Sequence, residues 1–346
     1  MTDKNKPIEK EIDLTTGKVV NQNEESIKKD ASEHDVTLPG HGAKSSKIAE
    51  LGKDMPDLEF MHALAAAPDE LLIPWEDSPL PSDGLYYPGW TNGVVKVRAM
   101  MQSVEKVFAN KRLTQSGQAL DAMFSKCCMF PGDFDPADLL VGDRTFLLYY
   151  IRGLTYGNLY KFAITCPHCE SQSTHTYDMN ELYQSVIHAR ADLGPEPFKV
   201  ILPHLSEVTD REMWVGVRLL RSRDINDILT RRKFNKRLDG TSVRASQNRR
   251  RKPGARQTQN QSSDQTEAIM DGSLERTIVS FNGFSDPMLV SQMISRLHSR
   301  DNAAIREFLL DVTPGIDTTV TIECPECQNE VTMELPITDG FFRSVE

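Results

Sequence analysis

Two short stretches repeat one pattern, ITCPHCES at 164–171 and TIECPECQN at 321–329. Each holds a Cys-Pro-x-Cys turn between strand-like residues, and residues 170–323 lie between the two cysteine pairs. Two thiolates three residues apart bind one tetrahedral ion from a tight turn, but one such pair supplies only half of the four ligands that zinc takes. The repeat therefore predicts that hook 1 (residues 160–178) and hook 2 (residues 319–337) close on a single ion.

The predicted site is a structural zinc centre with one ion per chain. Its ligands would be Cys166, Cys169, Cys324 and Cys327. Four protein ligands leave no open position for water, which indicates a structural and not a catalytic metal. The alternatives are a redox CxxC pair, which would need a cysteine at a helix N-terminus, and two turns with idle thiols. His168 and His175 lie close enough along the chain to substitute as ligands, but the pattern favours exposed turn residues for both.

The composition is that of a chain without membrane spans. Hydrophobic residues make up 39% of it, and no apolar run approaches the roughly 20 residues that a spanning helix needs. The N-terminal stretch MTDKNKPIEKEIDL lacks the apolar core of a signal peptide, so we expect the protein in the cytoplasm. In that compartment paired cysteines indicate a metal and not disulfides.

The charge is unevenly distributed. Residues 218–256 hold 14 Lys+Arg and 3 Asp+Glu, a balance of +11, so the rest of a chain of net charge −10 carries −21. This division favours a basic segment that meets an acidic partner or the chain's own acidic surface. Nucleic-acid binding through Arg249, Arg250 and Arg251 stays an alternative, although Phe234 is the only aromatic residue available for stacking there.

The order of patterns predicts an α+β protein. It would have a mainly helical body, a small zinc-ribbon-like β unit formed by the two sequence-distant CxxC hairpins, a disordered N-terminal tail and a flexible basic linker. The predicted segments are a disordered tail (1–75), a helical region (76–158), the first zinc hairpin with a following helix and strand (159–205), a long helix (206–238), the basic linker (239–266), C-terminal helices (267–316), and the second zinc hairpin with the tail (317–346).

Apolar residues at helical spacing predict two of these helices in particular. One contains Val94, Val97, Met101, Val104 and Phe108. The other, within 206–238, contains Trp214, Val217, Leu220, Ile225 and Ile228. A third helix, over NAAIREFLLDV, would begin at a cap formed by Asp301.

No motif indicates catalysis. Cys127 and Cys128 are predicted to be small buried thiols at a helix end, and Asp143 with Arg144 to be a local salt bridge at a helix start. The remaining histidines mark no nucleophilic or carboxylate-pair pattern. We therefore expect a protein that is not an enzyme.

Two longer stretches resemble the baseplate hub protein family of T-even-like contractile-tailed phages. One is DPADLLVGDRTFLLYYIRGLTYGNLYKFAITCPHC (135–169), with its L-x-x-G-D-R-x-F-L-L element, and the other is the PGID…CxxC…FF ending. The resemblance extends over residues 84–346 apart from the basic stretch. The long N-terminal tail and the arginine-rich insertion depart from the smaller family members.

The resemblance implies a non-catalytic structural or assembly subunit of the baseplate hub, with the four hook cysteines as its metal site. Its partners would be other baseplate, hub and tail tube proteins, and no membrane. It would reside in the host cytoplasm during assembly and then in the virion tail baseplate. The residues alone also permit a different class, a zinc-ribbon nucleic-acid-binding regulatory protein.

Overall fold

Helices alternate with short antiparallel sheets, which confirms the α+β prediction. The computed structural model describes residues 56–90, 92–110, 113, 118–238, 272–337 and 340–342, all within one compact unit. The helices are α1 (Asp57–Ala65), α2 (Asp69–Leu72), α3 (Gln102–Phe108), α4 (Gln118–Cys127), α5 (Val141–Tyr156), α6 (Asn180–Gln184), α7 (Pro203–Thr209), α8 (Ser222–Leu238), α9 (Pro287–Ile294) and α10 (Ser299–Val312). None of these helices is long and apolar enough to cross a bilayer.

The described strands form five small sheets. The strands are β1 (Glu76–Pro79), β2 (Val94–Val97), β3 (Cys128–Met129), β4 (Leu159–Thr165), β5 (Gln172–Asp178), β6 (Val186–Ile187), β7 (Phe198–Ile201), β8 (Trp214–Val217), β9 (Ile278–Phe281), β10 (Gly315–Ile316), β11 (Thr319–Glu323) and β12 (Glu330–Glu334). The sheet orders are β1-β2-β3, β7-β8-β9, β4-β5, β11-β12 and β6-β10, all antiparallel. Sheets therefore contribute more to the body than the sequence pattern predicts.

Helix α5 lies at the centre of the core. Its middle residues, from Phe146 to Gly153, are all buried, as expected for a helix that is apolar on every side. The helix ends at Gly157, whose φ of 81° is one that glycine adopts without steric cost. Strand β4 follows at once, so the central helix leads directly into hook 1.

The N-terminal end of α5 meets the chain that leads into hook 2. A Cβ atom at Gly142 would lie 1.8 Å from the carbonyl oxygen of Pro314, so only glycine permits this approach. The Gly-Asp-Arg element and the Pro-Gly-Ile-Asp element, which carry the phage resemblance, are therefore neighbours in the fold. This contact brings the C-terminal third of the chain back onto α5.

Asp143 joins α5 to the loop before β2. Its side chain is fully buried and accepts hydrogen bonds from the backbone N–H of Ser82 (3.0 Å) and from the hydroxyl of Tyr87. The same hydroxyl accepts the N–H of Leu140 (2.8 Å). Arg144 pairs instead with Asp121, so the prediction of a local Asp143–Arg144 salt bridge is wrong. Among the described residues, hydrogen-bond donors and no cation hold this carboxylate.

Asp143 should make stability depend on pH. Burial raises the pKa of Asp143 from 3.8 to about 6. As pH rises from about 4 to 6, the unfolded chain releases this proton before the folded chain does, so this group lowers stability across that window. Replacing Asp143 with asparagine removes the contribution. The unfolding free energy of Asp143→Asn minus that of wild type should therefore rise between pH 4 and 6, by on the order of 2–3 kcal/mol, and then level off.

Urea unfolding at several pH values checks this difference. Tyr87→Phe removes a hydroxyl that lowers the pKa of Asp143 in the folded protein, so this variant should extend the upper edge of the window to higher pH. A difference between Asp143→Asn and wild type that is flat with pH would contradict the prediction.

Two predicted helices are interrupted by strands. The segment 94–97 is strand β2, held between β1 and β3, and helix α3 begins only at Gln102. The predicted long helix 206–238 is wrong in the same way, because Trp214–Val217 forms β8 at the centre of a sheet. Short runs of β-branched residues fit a helix face and a buried strand equally well by periodicity, and here distant pairing partners decide. The predicted C-terminal helices over 267–316 likewise leave room for two strands, β9 and β10.

The start of α10 also differs from the prediction. Its cap is His298, whose Nδ1 accepts the N–H of Arg300 at 3.2 Å. Asp301 is instead buried and accepts the N–H of His204 at 2.8 Å, which joins α10 to α7. The charge of Asp301 therefore serves a tertiary contact and not the cap of its own helix.

Part of the predicted organisation lies outside the described residues. This applies to residues 1–55 of the predicted tail and to the whole of the predicted linker 239–266. The rest of the predicted tail includes α1, which has no buried residue, and α2.

Candidate metal centre

Hook 1 is a β-hairpin whose turn carries two cysteines. Strands β4 and β5 pair in register from Leu159↔Asp178 to Thr165↔Gln172, and the turn follows directly. The backbone N–H of Cys166 donates to the carbonyl of Ser171 at 2.9 Å, and the N–H of Glu170 donates to the carbonyl of Cys166 at 3.0 Å. Glu170 takes a left-handed φ of 60°, which turns the chain back toward β5.

Hook 2 repeats this backbone. Strands β11 and β12 pair as far as Glu323↔Glu330, where the second turn begins. The N–H of Cys324 donates to the carbonyl of Asn329 (3.0 Å), and the N–H of Gln328 donates to the carbonyl of Cys324 (2.8 Å). Gln328 has a φ of 59°, the counterpart of Glu170. The same hydrogen bonds and the same left-handed position occur in both hooks.

The structure places the four hook cysteines together. The Sγ atoms of Cys166 and Cys327 are 3.7 Å apart, as are those of Cys169 and Cys324, and all four lie within 4.8 Å of one another. In a tetrahedral site with Zn–S bonds of about 2.3 Å, sulfur atoms are separated by about 3.8 Å. A disulfide would need about 2.05 Å, and all four thiols are free. The spacing of the cluster therefore fits a tetrahedral ion.

The cluster has its own small apolar core. Cys166 and Cys324 are almost completely buried and pack with Val331, against which Ile322 and Met333 also lie. Cys327 is partly buried, whereas Cys169 is exposed. Each hook therefore contributes one buried first cysteine and one more accessible second cysteine.

Hydrogen bonds from the turns shift the pKa values of the thiols. The backbone N–H of Cys327 and the hydroxyl of Ser171 lower the pKa of Cys324 to about 6, and the hydroxyl and N–H of Ser171 lower that of Cys169. At Cys327 the N–H of Asn329 acts in the same direction, but burial and the neighbouring thiols outweigh it and raise the pKa to about 11. Four thiolates this close repel one another, so a cation between them would favour full deprotonation.

Neither histidine near hook 1 joins the cluster. His168 is exposed, and Nε2 of His175 is hydrogen-bonded to Ser173 at 2.8 Å. Across the described part of the chain, the group of side chains spaced to hold a metal consists of the four cysteines.

Three tyrosines that belong to no recognisable sequence motif position hook 2. Three hydroxyls from α5 and β4 donate to backbone carbonyls of the C-terminal strap, which comprises residues 335–337 and 340–342. These bonds are Tyr149 to Leu335 (3.1 Å), Tyr156 to Phe342 (2.8 Å) and Tyr160 to Pro336 (2.8 Å). Phe341, which is fully buried, packs edge-on against Tyr149 and Tyr160. The strap therefore fastens the end of hook 2 to the helix that leads into hook 1.

The other chemically reactive residues do not converge. Burial raises the pKa of Cys127 to about 12 and raises that of Cys128 as well, so both remain protonated thiols. Asp224 is paired with Arg218 at 2.8 Å. His204 and His298 stack with ring centroids 3.9 Å apart, and the Nδ1 of His298 accepts the N–H of Arg300 as the cap of α10. In the described residues these groups serve packing, ion pairing and capping.

The fold and the cluster define a class, an α+β protein with two CxxC hairpins brought together by a central helix. Residues 80–208 match the family model described as T4 bacteriophage base plate protein. The match covers a little over a third of the chain, includes hook 1 and ends before hook 2. It confirms the resemblance to T4-like phage baseplate proteins and supports a structural role in the baseplate. No curated protein and no solved structure matches the chain.

Proposed function

We propose that this protein is a non-catalytic structural or assembly subunit of the phage baseplate hub, closed by one structural zinc ion. One observation carries the proposal. Hook 1 lies inside the region that matches the baseplate family, and its cysteines cluster with those of hook 2, which begins more than 100 residues after the end of that region. Its partners would be other baseplate, hub and tail tube proteins. Assembly would take place in the host cytoplasm, and the mature location would be the tail baseplate.

Zinc is the metal that the ligand set favours. Four thiolates are soft ligands, and a tetrahedral S₄ arrangement is typical of zinc or of iron–sulfur sites. The two-hairpin arrangement with Cys-x₂-Cys spacing is that of structural zinc sites. With all four positions filled by protein, the ion would stabilise the fold and would activate no water.

Exposed apolar side chains support a role in assembly. Helix α9 is an apolar helix with only Val290 buried, and no charged residue lies between Asp286 and Arg296. Just before and at the start of this helix, Phe284 is 67% exposed and Met288 71% exposed. Uncovered apolar residues of this kind are typical of surfaces that meet other proteins. We assign this segment, residues 284–289, to contacts with a neighbouring baseplate subunit.

A charge introduced at this surface should separate assembly from folding. Met288→Asp should reduce co-purification with co-expressed baseplate proteins of the same phage by about tenfold or more, because an interface that buries a charge without a partner is strongly disfavoured. Leu310→Asp is the matched control, since Leu310 is 80% exposed on a different helix. Both variants should unfold at the wild-type temperature. Failure of the wild-type protein to associate with any baseplate component would overturn the proposed function.

The nucleic-acid-binding alternative is not favoured. Hook 2 carries four glutamates, Glu323, Glu326, Glu330 and Glu334, and neither lysine nor arginine. Phosphate recognition requires a basic surface, which this half of the ribbon does not offer. Arg249, Arg250 and Arg251 lie outside the described residues.

A further inference from the structure

One hydroxyl lies between sulfur atoms of both hooks. The Oγ of Ser171 is 3.0 Å from Sγ of Cys169 in its own hook and 3.6 Å from Sγ of Cys324 in the other. Ser171 is therefore in polar contact with one cysteine from each hook.

The equivalent residue of hook 2, Asn329, contacts a cysteine of its own hook only. Asn329 follows Cys327 by two residues, as Ser171 follows Cys169, and the two residues occupy the same place in the repeated turn. The Nδ2 of Asn329 lies 3.6 Å from Sγ of Cys327. That contact stays within hook 2. The two residues therefore occupy equivalent backbone positions, but only Ser171 contacts a cysteine of the other hook.

The part of the cluster next to Ser171 is the most accessible to solvent. Cys169 is exposed, whereas Cys166 and Cys324 are almost completely buried. An exposed thiolate is the point at which a chelator, a proton or an electrophile reaches such a cluster first. The donor nearest to that sulfur is the Ser171 hydroxyl.

We propose that Ser171 is a positioning residue of the metal centre that holds the exposed ligand Cys169 against hook 2 and slows metal release. The inference deepens the proposed zinc centre and rests on it. A hydroxyl that donates to a thiolate stabilises its charge and fixes its orientation. Removal of such an outer-shell partner typically costs about 10–100-fold in metal affinity.

The test compares three variants of the full chain loaded with one zinc ion: Ser171→Ala, Ser171→Thr and Asn329→Ala. Zinc transfer to an excess of a chromogenic chelator gives the release rate. Ser171→Ala should raise this rate about tenfold or more. Ser171→Thr retains the hydroxyl and should restore a rate within about threefold of wild type. Asn329→Ala should change the rate less than Ser171→Ala, because its contact does not join the hooks.

Cobalt substitution supplies a second readout that a general loss of stability would not move. The thiolate-to-cobalt charge-transfer bands should shift in Ser171→Ala while the tetrahedral d–d bands keep their intensity, and Ser171→Thr should show the wild-type spectrum. A Ser171→Ala protein with the wild-type release rate and spectrum would overturn this inference and leave the zinc centre intact. A wild-type protein that binds no zinc would instead overturn the proposed centre itself.

Discussion

Cys324→Ser should release the zinc ion and loosen the contact between the two hooks. Cys324 is completely buried at the cluster, and its sulfur lies 3.7 Å from that of Cys169 in the other hook. Serine cannot supply the thiolate, so the site falls below four ligands. Structural zinc contributes about 10–16 kcal/mol of binding free energy in zinc-finger peptides, and we expect a loss of several kcal/mol in the free energy of unfolding here.

Metal analysis of the purified protein and urea unfolding measure these two effects. Wild type should contain one zinc per chain and lose stability when a chelator is added, whereas Cys324→Ser should contain little zinc and respond little to chelation. Cys127→Ser is the matched control, because Cys127 is equally buried but lies outside the cluster. It should keep its zinc.

A shared centre makes a stronger prediction about pairs of substitutions. Cys166→Ser in hook 1 should lose zinc as completely as Cys324→Ser in hook 2. The double variant should be hardly less stable than either single variant, because each substitution alone already destroys the same site. Additive losses, or full zinc retention after either single change, would show that the hooks do not share one ion.

Phe341→Ala should have the second-largest effect. The Phe341 ring is fully buried between Tyr149 and Tyr160, where the C-terminal strap crosses the central helix. Truncating a buried phenylalanine to alanine typically costs about 3–5 kcal/mol through lost burial and the cavity left behind. Since the strap also fastens the end of hook 2, zinc release should be faster in this variant.

Phe284→Ala provides the comparison, because the Phe284 ring is 67% exposed. Chemical unfolding of both variants should give a change of less than about 1 kcal/mol for Phe284→Ala and several times more for Phe341→Ala. Equal effects would contradict the role assigned to the strap.

Much of the candidate site could be predicted, because each hook is specified by a short continuous stretch of sequence. A Cys-Pro-x-Cys turn between alternating residues specifies a hairpin, and both hairpins are present with the same hydrogen bonds. Helix α5, whose first turn contains the Gly-Asp-Arg element, was also predictable, since a sixteen-residue, mainly apolar helical pattern leaves little ambiguity. The role of Ser171 could not be predicted, because a serine at a turn is common in any protein. Its contact with Cys324 of the other hook is visible only in the tertiary structure.

The sequence by itself determined the α+β class, the two hooks, their four cysteines and helix α5. Only the tertiary structure decided that 94–97 and 214–217 are strands, since their partners lie in other parts of the chain. It also decided that Asp143 bonds to Ser82 and Tyr87 and not to Arg144, and that tyrosine hydroxyls hold the strap. The physical reason is the same in each case. Spacing and backbone preference act over a few residues, whereas these contacts join groups that are further apart in the chain. Their separations run from 13 residues for the strand pair Ile201–Trp214 to 186 residues for the hydrogen bond from Tyr149 to Leu335.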